Sequence, residues 1–213
     1  MTTDTAIPLK SITGLILAGG RGSRMGGVDK ALQIFQHQTL LEHVITRLKP
    51  QVSSIMINAN QQHAVYAQYG YRVFADHLPN FAGPLAGMAT AWDFCETDYL
   101  LTAPCDSPFL PQDLAQVLAT GFNKRLGATT EPNTLATIAA TAPTDTNEAQ
   151  LSLHPVFCLM HKSAAPALKQ FVNEGGSKMR IFFETIKAEA IVFDDAEAFV
   201  NLNTLQDLRA YET

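Results

Sequence analysis

The sequence predicts an α/β fold of three layers, a mostly parallel central sheet with helices on both faces. Three observations predict it. Short apolar runs that stop at Gly, Pro or Asp alternate with stretches of helical periodicity about four times in the first 120 residues, the pattern of strand–helix–strand units. The first of them, 13–18, is a short apolar run that stops at two glycines, as a strand covered on both sides does. The chain has 213 residues, 46% apolar and 16% charged, enough to bury a core without disulfide or metal staples.

The first strand is 13–18 (TGLILA), ended by Gly19-Gly20. Thr39-x-x-Glu42 is a capping box, and behind it Leu40, Leu41, Val44, Ile45 and Leu48 share a helical face that stops before Pro50. Strands follow at 54–58 (SIMIN) and 72–76 (RVFAD), around a weak helix near 63–68. Gly83-Pro84 opens an Ala-rich helix over 85–94, and 99–103 (YLLTA) is a strand running into Pro104. Pro111 suits the first position of a helix continuing through Leu118. The second half is less regular. It predicts strands at 136–140, 155–160 and 191–193 and helices at 164–171, 179–186 and 204–209, with Thr204 or Asn203 as the last cap.

Charge and composition exclude several classes. Fifteen basic against twenty acidic residues give −5, which argues against broad nucleic-acid binding. There is no apolar run of the ~18 residues a membrane helix needs. Residues 1–10 (MTTDTAIPLK) lack the basic start and apolar stretch of a signal peptide. Cys95, Cys105 and Cys158 match no CxxC pattern and read as small apolar side chains in a reducing cytoplasm.

Three segments follow strand ends: 19–30, 76–87 and 104–108. A parallel sheet gathers such segments on one edge, where ligands bind in this fold class. The first holds five glycines and three basic residues (Arg21, Arg24, Lys30) in twelve positions. Glycine lets backbone N–H groups approach phosphate oxygens, arginine offers them a planar fork and lysine a point charge. Neither GxGxxG nor GxxxxGK fits, because Met25 and Val28 occupy the required Gly and Lys positions.

In Pro104-Cys105-Asp106-Ser107-Pro108 two prolines stiffen a strand end and fix where Asp106 points. Taken alone, Asp106 reads as a turn former or helix-start residue; its pairing with the Gly-rich loop makes it a candidate Mg²⁺ ligand. Asp76, Asn58 and Asn60 end other strands, where each can pair with ribose hydroxyls or a base edge, or simply form a turn. His37 and His154 have no partner at a diagnostic spacing and read as surface or core residues.

LILAGGRGSRMGGVDK (15–30), GPLAGM (83–88), PCDSP (104–108) and NLNT (201–204) together resemble the bacterial molybdenum cofactor guanylyltransferase family, in that order and at those separations. The resemblance covers about residues 13–211. It implies a Rossmann-like nucleotidyltransferase fold over 1–213 as a single domain, with a nucleotide-binding half at about 11–120 and an acceptor-side half at about 121–213. It implies transfer of GMP from GTP to the terminal phosphate of molybdopterin or molybdenum cofactor, with Mg²⁺ as cofactor and pyrophosphate as leaving group. By the matched motifs Leu17, Ala18, Gly19, Gly20, Lys30, Asn58, Asp76 and Asp106 would bind GTP, Asp106 the metal, and Asn201 and Asn203 would lie toward the pterin. Lys30, Asp106 and Arg24 would carry the catalysis. Cofactor-insertion proteins and acceptor molybdoenzymes are the implied partners, with no nucleic acid and no membrane.

Two departures stand out. Leu205-Gln206-Asp207 replaces the family's usual Pro-Glu-Asp, and 128–152 is longer and more polar than expected. The alternatives are a cytidylyl- or other nucleotidyltransferase acting on molybdopterin or a sugar or alditol phosphate, and a non-catalytic cofactor-delivery protein. Intact Lys30 and Asp106 speak against the last.

Overall fold

The computed structural model describes residues 7–19, 29–77, 83–123, 134–143 and 150–211. Its elements in chain order are β1 (Ile12–Leu17), β2 (Ile34–Phe35), β3 (Gln38–Thr39), α1 (Leu40–Leu48), β4 (Ser54–Asn58), α2 (His63–Ala67), β5 (Arg72–Phe74) and α3 (Pro84–Ala91). There follow β6 (Tyr99–Pro104), α4 (Leu114–Asn123), β7 (Ala136–Thr141), β8 (Ser152–His161), α5 (Ala165–Asn173), α6 (Met179–Thr185), β9 (Glu189–Phe193) and α7 (Leu205–Ala210). Seven strands form one sheet in the order β5-β4-β1-β6-β8-β7-β9.

The sheet is parallel from β5 to β6 and again between β7 and β9. β8 runs antiparallel to both β6 and β7, with a register shift between Ile138 and Ala139. β1 lies inside the sheet between β4 and β6, and all six of its residues are buried, which is why its sequence shows no polar alternation. Its side chains still divide by face. Ile12 and Ile16 join Leu41, Val44, Leu48, Tyr66 and Leu118 on one side, while Leu15 and Leu17 join Leu85, Met88, Leu168 and Phe182 on the other. Helices α1, α2 and α4 therefore cover one face, and α3, α5 and α6 the other.

The local rules held at α1. Thr39 accepts the Glu42 N–H at 3.1 Å and the Glu42 carboxylate accepts the Thr39 N–H at 2.6 Å. The Thr39 N–H and the Thr39 hydroxyl, both donated to the carboxylate, lower the Glu42 pKa from its ordinary value. Boundaries moved elsewhere. The helix expected from Pro111 begins at Leu114 and runs to Asn123, after a turn in which the Leu114 N–H bonds the Pro111 carbonyl. The strand expected over 72–76 stops at Phe74, and α3 ends at Ala91. β8 is longer than the apolar pattern, because Ser152 to His154 pair with β7 although partly exposed. The β2–β3 hairpin carried no sequence signal: its turn residues Gln36 and His37 adopt positive φ, 46° and 70°, without the usual Gly or Asn.

α7 begins with a second capping box. Thr204 accepts the Asp207 N–H at 3.1 Å and Asp207 accepts the Thr204 N–H at 2.9 Å. Thr204, not Asn203, is the cap.

Candidate active site

The parallel run β5-β4-β1-β6 brings Phe74, Asn58, Leu17 and Pro104 to one edge, in register. Three strand spacings make that row about 14 Å long. The sheet's hydrogen bonds continue one residue further: Ala18 N–H to Asn58 carbonyl at 2.8 Å, Ala59 N–H to Phe74 carbonyl at 2.9 Å, Cys105 N–H to Leu17 carbonyl at 3.2 Å. The loops carrying Gly19, Asn60, Asp76 and Asp106 thus leave from a rigid frame. Segments 19–30, 76–87 and 104–108 do converge, through their described residues. Gly20 and Arg24 lie outside the described residues.

At the β6 end sits a charged cluster. Lys30 Nζ is 3.7 Å from Asp106 Oδ2 and donates to Asn203 Oδ1 at 2.7 Å. Both charged side chains are largely covered, with 22% and 14% of their surface exposed. Burial raises the Asp106 pKa, and the neighbouring Lys30 charge offsets part of that rise. The terminal segment is bolted to this loop: the Leu202 N–H bonds the Asp106 carbonyl at 2.8 Å, and the Ser107 hydroxyl donates to Asn201 Oδ1. Asn203 therefore touches the lysine directly, and Asn201 serves Ser107, which is fully buried.

At the β4–β5 end sits a neutral-amide cluster around one carboxylate. Asn58 Nδ2 donates to Asp76 Oδ1 at 2.9 Å, and Asn60 Nδ2 to Asp76 Oδ2 at 2.8 Å. Asn60 Oδ1 in turn accepts the Asp76 N–H at 2.9 Å. Gly19 and Gly87 press on this cluster from two sides. A Cβ at Gly87 would stand 2.2 Å from Asn58 Oδ1, and one at Gly19 3.0 Å from Asn60 Nδ2. The missing side chain at Gly19 makes room for the asparagines themselves.

Other candidates stay outside. His154 stacks on Phe199 with centroids 4.6 Å apart and hydrogen-bonds Thr141, and burial lowers its pKa. His37 is in the β2–β3 turn. Cys105 adjoins Asp106 but is buried, and its thiol pKa is raised by burial and by Asp106, the opposite of an activated nucleophile.

The sequence reading overlooked Asp29 as a site residue. It caps the 3-10 turn Lys30–Leu32, accepting the Ala31 N–H at 3.1 Å. It also missed Tyr66, whose hydroxyl reaches Asp29. Asp29 lay within the quoted motif, but a tyrosine 37 positions away has no local signal.

The chain is similar to known proteins in sequence and in fold. The MobA-like NTP transferase domain family matches residues 14–190. The chain belongs to that family. The molybdenum cofactor guanylyltransferase of Ralstonia nicotianae is 46% identical over 95% of this chain and 97% of its own. That of Polynucleobacter asymbioticus is 44% identical over 95% and 96%. Among solved structures, molybdopterin-guanine dinucleotide biosynthesis protein A from Archaeoglobus fulgidus superposes with a TM-score of 0.67 at 18% identity, over 94% of this chain and 96% of that one. The 4-diphosphocytidyl-2C-methyl-D-erythritol synthase of Anaerococcus prevotii gives 0.74 at 13% identity, over 99% and 98%. At such identities the structures share the fold alone. This MobA-like chain is thus a nucleotidyltransferase of the α/β class, and none of its described helices is long and apolar enough to cross a membrane.

The family implies a divalent metal, and the donor chemistry suits Mg²⁺. Among the described residues no group of three or more His, Cys, Asp and Glu could hold a metal; the carboxylate beside Lys30 is that of Asp106. Mg²⁺ commonly binds through one or two carboxylates together with substrate phosphates and water.

Proposed function

We propose that this chain transfers GMP from GTP to the terminal phosphate of molybdopterin or its molybdenum form, releasing pyrophosphate. The observation that carries the reading is the Lys30–Asp106 pair at one end of the strand edge, with the Asn58–Asn60–Asp76 cluster at the other. A row of about 14 Å suits a nucleoside triphosphate laid along it, phosphates toward Lys30 and nucleoside toward Asp76. The names of the relatives favour guanine and the molybdenum cofactor.

The acceptor phosphate monoester has a second pKa of about 6, so it is mostly ionised at pH 7 and needs no general base. The difficulty is repulsion between phosphate anions. Lys30 offsets it from a fixed position, with Arg24 and loop N–H groups as further donors from the Gly-rich segment. Gly20, having no Cβ, is the residue type that a close backbone approach to phosphate would require. Asp106 would hold Mg²⁺, which when bound adds positive charge against the phosphates and the departing pyrophosphate. Leu17, Ala18 and Gly19 would line the nucleotide with backbone groups, and Asn201 and Asn203 would face the acceptor. In-line placement by this rigid edge supplies the rest. We place the protein in the cytoplasm, beside cofactor-insertion proteins and acceptor molybdoenzymes.

The test is a screen of GTP, CTP, ATP and UTP with molybdopterin and Mg²⁺, scoring covalent dinucleotide and pyrophosphate. GMP transfer is expected. Preferred CMP transfer would move the chain to the cytidylyl alternative, and nucleotide binding without any pyrophosphate release to the delivery-protein alternative.

A further inference from the structure

We propose that Tyr66 is the positioning residue of this site, its hydroxyl acting through Asp29 to hold Lys30. The inference rests on the reading of Lys30 as a phosphate-gripping group.

Tyr66 lies on α2, within the crossover from β4 to β5, and it is fully buried. Its O–H points between the two Asp29 oxygens, 2.8 Å from each. Burial and the Asp29 carboxylate push the Tyr66 pKa far above its ordinary value, so it remains a donor at any working pH. Asp29 passes the constraint on in one step, because its Oδ1 also accepts the Ala31 N–H and so caps the turn on which Lys30 is the first residue. Lys30 then reaches Asn203 and Asp106.

The same crossover holds the other end of this segment. Tyr69, three residues on, lies 3.2 Å from Thr39 Oγ1. Thr39 gives its own proton to Glu42, so Tyr69 is the donor. Two tyrosine hydroxyls on one crossover thus clamp residues 29 and 39, the two ends of the stretch containing the Lys30 turn and the β2–β3 hairpin. A buried packing residue of this size needs no hydroxyl, and phenylalanine would fill the space. The hydroxyl is explained by what it aims: a lysine with several rotatable bonds gains most from a fixed backbone origin.

The experiment is a double-mutant cycle in the full-length protein, with folding checked by circular dichroism. Tyr66→Phe should lower kcat about tenfold and leave KM for GTP within about twofold. In a Lys30→Ala background the same substitution should change kcat by less than about twofold, because nothing remains to be positioned. Asp29→Asn, which keeps an oxygen for the tyrosine proton, should retain more activity than Asp29→Ala. An equal Tyr66→Phe penalty in both backgrounds overturns the proposal, since loosened packing alone would act regardless of Lys30. A ligand-free readout separates this from the proposed function: the ¹⁵N signal of the Lys30 ammonium, assigned by its loss in Lys30→Ala, should shift or broaden in Tyr66→Phe. An unchanged signal overturns the proposal whatever the enzyme's substrates are. Failure of wild type to transfer GMP, with the signal shifted as expected, overturns only the substrate reading.

Discussion

Lys30 donates a 2.7 Å hydrogen bond to the side chain of Asn203, 173 positions away in the sequence. The bond joins the end of the Gly-rich segment to the start of the last helix, and it lies beside Asp106. One lysine therefore contacts both Asp106, which we propose for the nucleotide and its metal, and Asn203, which we propose for the acceptor side.

Lys30→Ala should lower kcat/KM by about 2–4 kcal/mol of transition-state stabilisation, the scale of one preorganised electrostatic group. Steady-state kinetics with varied GTP decide it. A weaker GTP affinity with kcat unchanged would make Lys30 a ground-state binder only.

Asp106→Ala should abolish turnover at ordinary Mg²⁺ with the circular dichroism spectrum unchanged. Stability carries a second signature. The Asp106 pKa is raised in the fold, chiefly by burial, so the native state holds its proton more tightly than the unfolded chain. Its ionisation then costs stability as pH rises from the unfolded pKa through the raised one, and the cost persists above. Asp106→Asn should be more stable than wild type at pH 7, and the difference should vanish as pH falls below the model-peptide value of 3.8. Urea unfolding at several pH values measures this.

Gly87→Ala should destabilise the protein by about 1–3 kcal/mol, the usual range for overpacking. In an exposed helix the same change stabilises by about 1 kcal/mol. The sign reverses here because the new Cβ would meet Asn58 Oδ1 at 2.2 Å. Denaturant titration gives the stability, and GTP binding should weaken with it.

Gly19→Ala should weaken GTP use more than CTP use, by displacing Asn60 and Asn58 from Asp76. Guanine presents N1–H and N2–H₂ donors and an O6 acceptor, so it has more to lose from a disturbed polar cluster. Competition assays with equal GTP and CTP test it, and an unchanged ratio would show that residue 19 does not set base choice.

A maleimide at neutral pH should label Cys95 first. Cys105 and Cys158 are buried. Burial raises the Cys105 thiol well above its ordinary value and pushes Cys158 up to about 12. Peptide mapping after brief labelling of the native protein checks this, and rapid modification of Cys105 would overturn its inert role.

The sequence by itself determined the alternation of strands and helices, the Thr39–Glu42 box and the edge on which the site lies. Each follows from local chemistry: continuous apolar runs for covered strands, a hydroxyl three residues before a carboxylate, glycine or proline at a strand's end. It also determined the family, because LAGGRGSRMGGVDK, PCDSP and NLNT are local strings. Tertiary structure alone decided who meets whom. The Lys30–Asn203 bond, the Ser107–Asn201 bond, the two asparagine amides on Asp76 and the Tyr66–Asp29 contact span 16 to 173 positions. Such pairings depend on strand order and crossover geometry, which no periodicity encodes. The antiparallel insertion of β8 was hidden for the same reason: a buried strand has the same composition whichever way it runs, and only its neighbours' positions fix its direction.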